Sequence, residues 1–218
     1  MVRTKQRALV KGNVNSQPAL IYASMLGLLG FCLLGFFTNL VALGLAVVGF
    51  VFYVFLYAYT KRRTSVGTLV GAVAGAVPIV VGYCAASGRF DLAALLLFLI
   101  LFFWQLPHFY AIAMYRFHDY KAAGLPVLPV KRGMRVSKMM IVFYVFAFFV
   151  ATSLLFVFGY AGYIYLAVML ALNFAWFFYG IQRVKDIDYS LWARKMFRVS
   201  LVVLLVFSVM ISLERYLV

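Results

Sequence analysis

Seven stretches of this chain, most of them about 20 residues long, run with almost no charge: 19–37, 40–59, 66–86, 91–115, 138–158, 160–181 and 199–213. A helix rising 1.5 Å per residue needs about 20 apolar residues to cross a hydrocarbon core of about 30 Å, which satisfies every backbone group internally. Barrel strands would be about 10 residues long and would alternate apolar with polar, and these runs do neither. The fold class they specify is all-α, a polytopic transmembrane helix bundle. Composition agrees: 67% of residues are hydrophobic and 11% charged, against about 25% charged in soluble domains.

The net charge of +15 would point to nucleic acid in a soluble protein, but here the basic residues occupy the gaps between spans. Arg3, Lys5, Arg7 and Lys11 precede the first span, and Lys61, Arg62 and Arg63 follow the second. Arg116, Lys121, Lys131, Arg132, Arg135 and Lys138 follow the fourth, and Arg183, Lys185, Arg194, Lys195 and Arg198 follow the sixth. Only Arg89 and Arg215 are left for the other side. The positive-inside bias therefore predicts a cytoplasmic amino terminus and a periplasmic carboxyl terminus, with a lipid bilayer and not nucleic acid as the surroundings. Residues 1–18 are polar and basic, so no cleavable signal peptide is expected. Cys32 and Cys84 lie inside spans without CxxC spacing, as small hydrophobes would.

Connections on the sparsely charged side are short (Thr38-Asn39, Ser87 to Phe90, Gly159), so the polar mass and any chemistry on a charged substrate belong to the basic face. In the third span Gly67, Gly71 and Gly75 recur every four residues. They expose a bare helix face that serves either close helix packing or a groove for a flat or isoprenoid ligand. Asp91 stands where a helix N-cap is expected. Asp119 follows the fourth span. If that helix continues, His108 and Asp119 are eleven residues apart, within about 20° of three full turns, and share a face with Trp104, Ile112 and Tyr115. An ionisable side chain inside a span is a functional candidate, and Pro107 beside it is expected to kink the helix. Carboxylate and clustered cations at one face suit a Mg²⁺-bound phosphate group. No GxxxxGK[ST] loop is present, which argues against an ATPase.

The stretches Trp104-Gln105-Leu106-Pro107-His108-Phe109 and Arg116-Phe117-His118-Asp119-Tyr120-Lys121-Ala122-Ala123-Gly124-Leu125-Pro126-Val127-Leu128-Pro129-Val130 resemble the signature of the protohaem IX farnesyltransferase (haem O synthase) branch of the UbiA-type intramembrane prenyltransferases. Arg3-Thr4-Lys5-Gln6-Arg7, Lys61-Arg62-Arg63-Thr64 and Gly82-Tyr83 agree with it, so the resemblance covers essentially the whole chain. It implies an enzyme that transfers farnesyl from farnesyl diphosphate to a vinyl group of haem B, adds water and releases diphosphate, giving haem O for the terminal oxidases. Haem B is then substrate and Mg²⁺ the cofactor bridging the diphosphate. The setting is a bacterial inner membrane, with a haem A synthase or oxidase-assembly protein as the partner class.

Residue by residue, the resemblance gives Asp119 as catalytic residue and metal ligand, and Lys61 as the basic catalytic residue. Arg3, Arg7, Lys61, Arg62, Arg116 and Lys121 fall around the diphosphate, and Trp104 and His108 in the haem pocket, with His108 a candidate iron ligand. The family implies nine helices and two Asp-rich motifs. Residues 1–218 read as a single domain lacking the first two helices and the first motif, and His118 replaces the further Asp or Lys of many relatives, leaving Asp119 as the metal carboxylate. A catalytically incomplete membrane fragment is the alternative expectation. A transporter ranks behind both, because neither intramembrane charge pairs nor repeated broken helices are visible.

Overall fold

The computed structural model describes residues 6–182 and 189–217. Its helices are α1 (Ser16–Phe37), α2 (Leu40–Arg63), α3 (Gly67–Ser87), α4 (Leu92–Tyr115), the short α5 (Phe117–Ala122), α6 (Leu128–Val157), α7 (Tyr163–Ile181) and α8 (Tyr189–Leu217). All but α5 are long and apolar enough to span a membrane, which gives the seven spans expected. The all-helical bundle is built around α4, which packs on α3, α6 and α8. Helices α6, α7 and α8 close a ring with α4, while α3, α2 and α1 extend from it in sequence. The ring carries the larger core, centred on Ile100, Phe148, Trp176 and Phe207. Where α2, α3 and α4 meet, Ala42, Val80, Cys84 and Ala94 form a smaller one. Small residues dominate that second contact, because lipid supplies no hydrophobic drive and close van der Waals approach must hold the helices.

Turn chemistry fixes the hairpins. Asn39 accepts from the Ala42 amide at 2.9 Å, capping α2, and donates to the Cys84 carbonyl at 2.8 Å, tying α2 to the end of α3. Gly88 ends α3 at φ 72°, a left-handed conformation that glycine adopts without strain. Asp91 is the expected cap of α4: it accepts from the Ala94 amide at 3.1 Å, the Tyr83 hydroxyl at 2.9 Å and Arg89 Nε at 3.2 Å. The Ala94 amide first, then Tyr83 and Arg89, hold its carboxyl below the ordinary carboxylate range against a partial burial that opposes them. A carboxyl with a lowered folded pKa contributes stability above its unfolded pKa and loses it as pH falls through the folded value. The apparent Tm in detergent is therefore expected to fall on acidification through that window, and Asp91→Asn is expected to flatten the fall.

Three expectations are corrected. Helix α6 starts at Leu128 and not 138, because Pro129 suits a first helical turn and the chain re-enters helix beyond Gly133 (φ 82°, ψ 171°). Helix α8 starts at Tyr189 and not 199: Tyr189, Trp192, Ala193, Met196 and Ser200 form a buried stripe at helical spacing, while Arg194, Lys195 and Arg198 point outward. The helix holding His108 does not continue to Asp119. It ends at Arg116 (φ −105°, ψ 25°), where the charged side chains leave the apolar layer and α5 begins.

Candidate active site

The C-terminal half of α2 widens into a π-helical turn at Phe52–Tyr57, an irregularity often found beside functional sites. On this stretch Tyr53 and Tyr57 stack with ring centroids 5.6 Å apart, and one turn on, Lys61 Nζ lies 5.1 Å from the Tyr57 ring centre. Opposite them runs the glycine face of α3. A Cβ at Gly67 would lie 2.8 Å from the Lys61 Cα, and one at Gly71 2.9 Å from the Tyr57 ring. At Gly75 it would lie 2.0 Å from Gln105 Oε1. The stripe therefore has two structural consequences. The glycines permit close approach, and they also form one wall of a cavity.

That cavity has a volume of about 610 Å³, in the range of small-molecule sites. Its mouth is polar, with Lys61, Thr64, Ser65, Thr68 and Tyr120, and the rest of its lining is mostly apolar, with Ala74 and Ala113 buried and Pro78 and Phe109 exposed. Gln105 is the polar exception in that part of the lining, and it is 6% exposed. A cation at the entrance of a narrow apolar chamber suits a ligand with an anionic head and a hydrocarbon tail.

The expected site residues divide around this cavity. Lys61 lines its mouth. Asp119 is next to it in sequence through Tyr120, but its carboxylate pairs with Arg116 at 3.6 Å. The Arg116 guanidinium is held above its ordinary pKa first by the Tyr115 hydroxyl, which accepts from Nε at 3.3 Å, and more weakly by Asp119. Lys121 is exposed over the Phe117 ring, Arg62 is exposed at the end of α2, and Arg7 is exposed ahead of α1. Arg3 lies outside the described residues.

Trp104 and His108 face the other way. Trp104 Nε1 donates to the Ser200 carbonyl at 2.7 Å, and His108 Nδ1 lies 2.8 Å from the Ser200 hydroxyl. The His108 ring stacks on Trp104 at 4.7 Å and meets Phe197 at 4.8 Å. The predicted stripe on α4 thus exists, but it packs on α8, and neither residue lines the cavity. Tyr53, Tyr57 and Gln105 are cavity residues that sequence reasoning passed over. The signal for Gln105 was available, since an uncharged amide inside a span needs a partner as surely as an ionisable group does.

A cationic mouth and an apolar chamber in a membrane setting suit an enzyme acting on a ligand with an anionic head and a hydrocarbon tail. The model of the UbiA prenyltransferase family matches residues 1–202, and the chain belongs to that family. Among its relatives, a protein named protoheme IX farnesyltransferase from Yersinia enterocolitica is 49% identical over 215 residues, 98% of this chain and 73% of the relative. One of the same name from Photorhabdus laumondii is 48% identical over 217 residues, 99% of this chain and 74% of the relative. A solved structure from work on digeranylgeranylglyceryl phosphate synthase in membranes superposes with a TM-score of 0.81 at 20% identity, over 98% of this chain and 75% of that one. At that identity it speaks to the fold alone.

Proposed function

We propose that this multi-pass membrane protein transfers a farnesyl group from farnesyl diphosphate to a vinyl group of haem B, forming haem O. The observation that carries the reading is the cavity itself, with Lys61 at its mouth and a glycine-walled hydrocarbon depth, in a chain 49% identical to relatives named for that reaction. The allylic carbon–oxygen bond must ionise, so the leaving diphosphate needs fixed positive charge, and Lys61 supplies it at the mouth. The apolar depth holds the farnesyl chain and keeps bulk water from the carbocation.

Mg²⁺ fits the donor set as an ion shared with substrate. Among the described residues no three His, Cys, Asp or Glu side chains gather, and Mg²⁺ is commonly held by one or two carboxylates plus phosphate oxygens and waters. Asp119 would provide the carboxylate, and the ion when bound would neutralise the departing diphosphate. Arg116 orients Asp119, while Arg62 and Lys121 add positive potential on the same side. Arg3 and Arg7 belong to the same basic face by sequence. The chain works as one domain of a bacterial inner membrane, with that basic face cytoplasmic and the carboxyl terminus periplasmic.

The haem assignment of Trp104 and His108 rests on resemblance and is tested by His108→Ala. Weaker haem binding with farnesyl diphosphate binding intact would put the haem against this face of α4. Equal loss of both would identify a brace between α4 and α8. For the reaction as a whole, membranes containing this chain are given haem B, farnesyl diphosphate and Mg²⁺. Haem O above empty-vector membranes is the expected result, and none from protein shown to be inserted overturns the reading.

A further inference from the structure

Gln105 is a buried amide whose two ends face different surroundings. Its Nε2 lies 3.4 Å from the Ala72 carbonyl and 3.2 Å from the Leu101 carbonyl. Both neighbours are acceptors, so the nitrogen must be the end that meets them, and the orientation of the amide is fixed. The oxygen, Oε1, is therefore turned toward Gly75, into the space that a Cβ there would fill, on the wall of the cavity. The residue is 6% exposed and lines the cavity. With its nitrogen end held by two carbonyls, the amide offers this oxygen as an acceptor to a donor that enters the cavity.

If the proposed reaction is correct, on which this inference rests, its participants can be sorted by what they donate. The farnesyl chain and the haem vinyl group are hydrocarbon, and the diphosphate and ionised haem propionates are acceptors. Water is the one reactant that carries a hydrogen to give. We propose that Gln105 Oε1 binds the water molecule that completes the reaction, and that Gln105 is a catalytic residue for hydration.

The step balances as follows. The C1–O bond of farnesyl diphosphate breaks and its electron pair leaves with diphosphate. The vinyl π pair forms the new carbon–carbon bond from the terminal carbon to C1, leaving positive charge on the inner vinyl carbon beside the macrocycle. The water oxygen forms its bond to that carbon, and the released proton passes to the diphosphate. Position agrees with the order of events. Gly75 is eight residues along α3 from Gly67 at the lysine end, about 12 Å deeper, so the acceptor sits below the ionising carbon and away from bulk solvent. Without a held water, the cation loses a proton from the adjacent carbon and yields an alkene lighter by one water.

The test measures product ratio by mass spectrometry in membranes carrying wild type, Gln105→Leu or Gln105→Glu, with diphosphate release followed in parallel. Wild type must first give haem O; failure there sinks the farnesyl-transfer reading and not this one alone. Leucine is expected to keep diphosphate release but to lower the hydrated-to-dehydrated ratio about tenfold or more, the scale of one hydrogen bond. Glutamate, which keeps an oxygen acceptor, is expected to restore much of the ratio. Because the ratio is taken within surviving turnover, it does not depend on how much variant accumulates. An unchanged ratio in Gln105→Leu overturns the proposal. So does loss of diphosphate release equal to the loss of product, since that would place Gln105 before ionisation.

Discussion

Gly71→Leu is expected to lower haem O formation about 100-fold, the scale on which small displacements of reacting groups act. The first added carbon meets the Tyr57 ring at 2.9 Å, tighter than real side chains tolerate. Tyr57 must then shift, and Lys61, whose ammonium lies over that ring, moves with it. The rest of the leucine projects into the chamber proposed to hold the farnesyl chain. Overpacking of this kind costs about 1–3 kcal/mol of stability, so activity alone would not distinguish a blocked site from a weakened fold. Gly82→Leu on the same helix is the control: Gly82 is exposed with open space around its Cα, and the added side chain should leave turnover unchanged. The comparison is made per amount of inserted protein, with KM for farnesyl diphosphate. Near-normal turnover in Gly71→Leu would show that the substrate does not run along this face.

What the sequence revealed, and what it hid, follows from which forces act over short distances along the chain. Spans are legible because a bilayer demands apolar length, and Asp91 is legible as a cap because one side chain satisfies an amide three residues on. The start of α8 was missed because hydropathy stops at charge, whereas a helix at a membrane surface carries Arg194 and Lys195 outside and Trp192 and Met196 inside. The stripe from Trp104 to Tyr115 was read correctly as a helix face, but no local rule says which neighbour that face meets. Its contact is Ser200, 92 residues from His108 in sequence. The opposite face of α4 reaches the cavity with Gln105. An uncharged amide attracted no notice there because its meaning depends on Ala72 and Gly75, residues of another helix. The glycine stripe stayed ambiguous for the same reason. A bare helix face serves packing and ligand equally well, and only the positions of Tyr57 and Gln105 show that it both packs closely and walls a cavity.

Asp119→Asn is the second large effect expected. The carboxylate stands in α5, next to Tyr120 at the cavity mouth, and its described ionic partner is Arg116 at 3.6 Å. An amide keeps the shape but removes the charge. It is a much poorer ligand for a hard cation, and it no longer forms an ion pair with the Arg116 guanidinium. Two consequences oppose each other. The freed Arg116 adds positive charge that would bind diphosphate, while the lost carboxylate removes the protein ligand proposed for Mg²⁺. A ground-state gain from Arg116 would tighten substrate binding without helping ionisation, so the KM for farnesyl diphosphate should change little or fall while kcat drops. The drop is expected to be about 100-fold or more, the size seen when one electrostatic contact to developing charge is removed. The Mg²⁺ concentration giving half-maximal rate should rise in the residual activity, and Asp119→Glu should recover part of both. A normal rate with an unshifted Mg²⁺ dependence would remove Asp119 from the site. The chemistry would then rest on Lys61 and the other cations of the basic face.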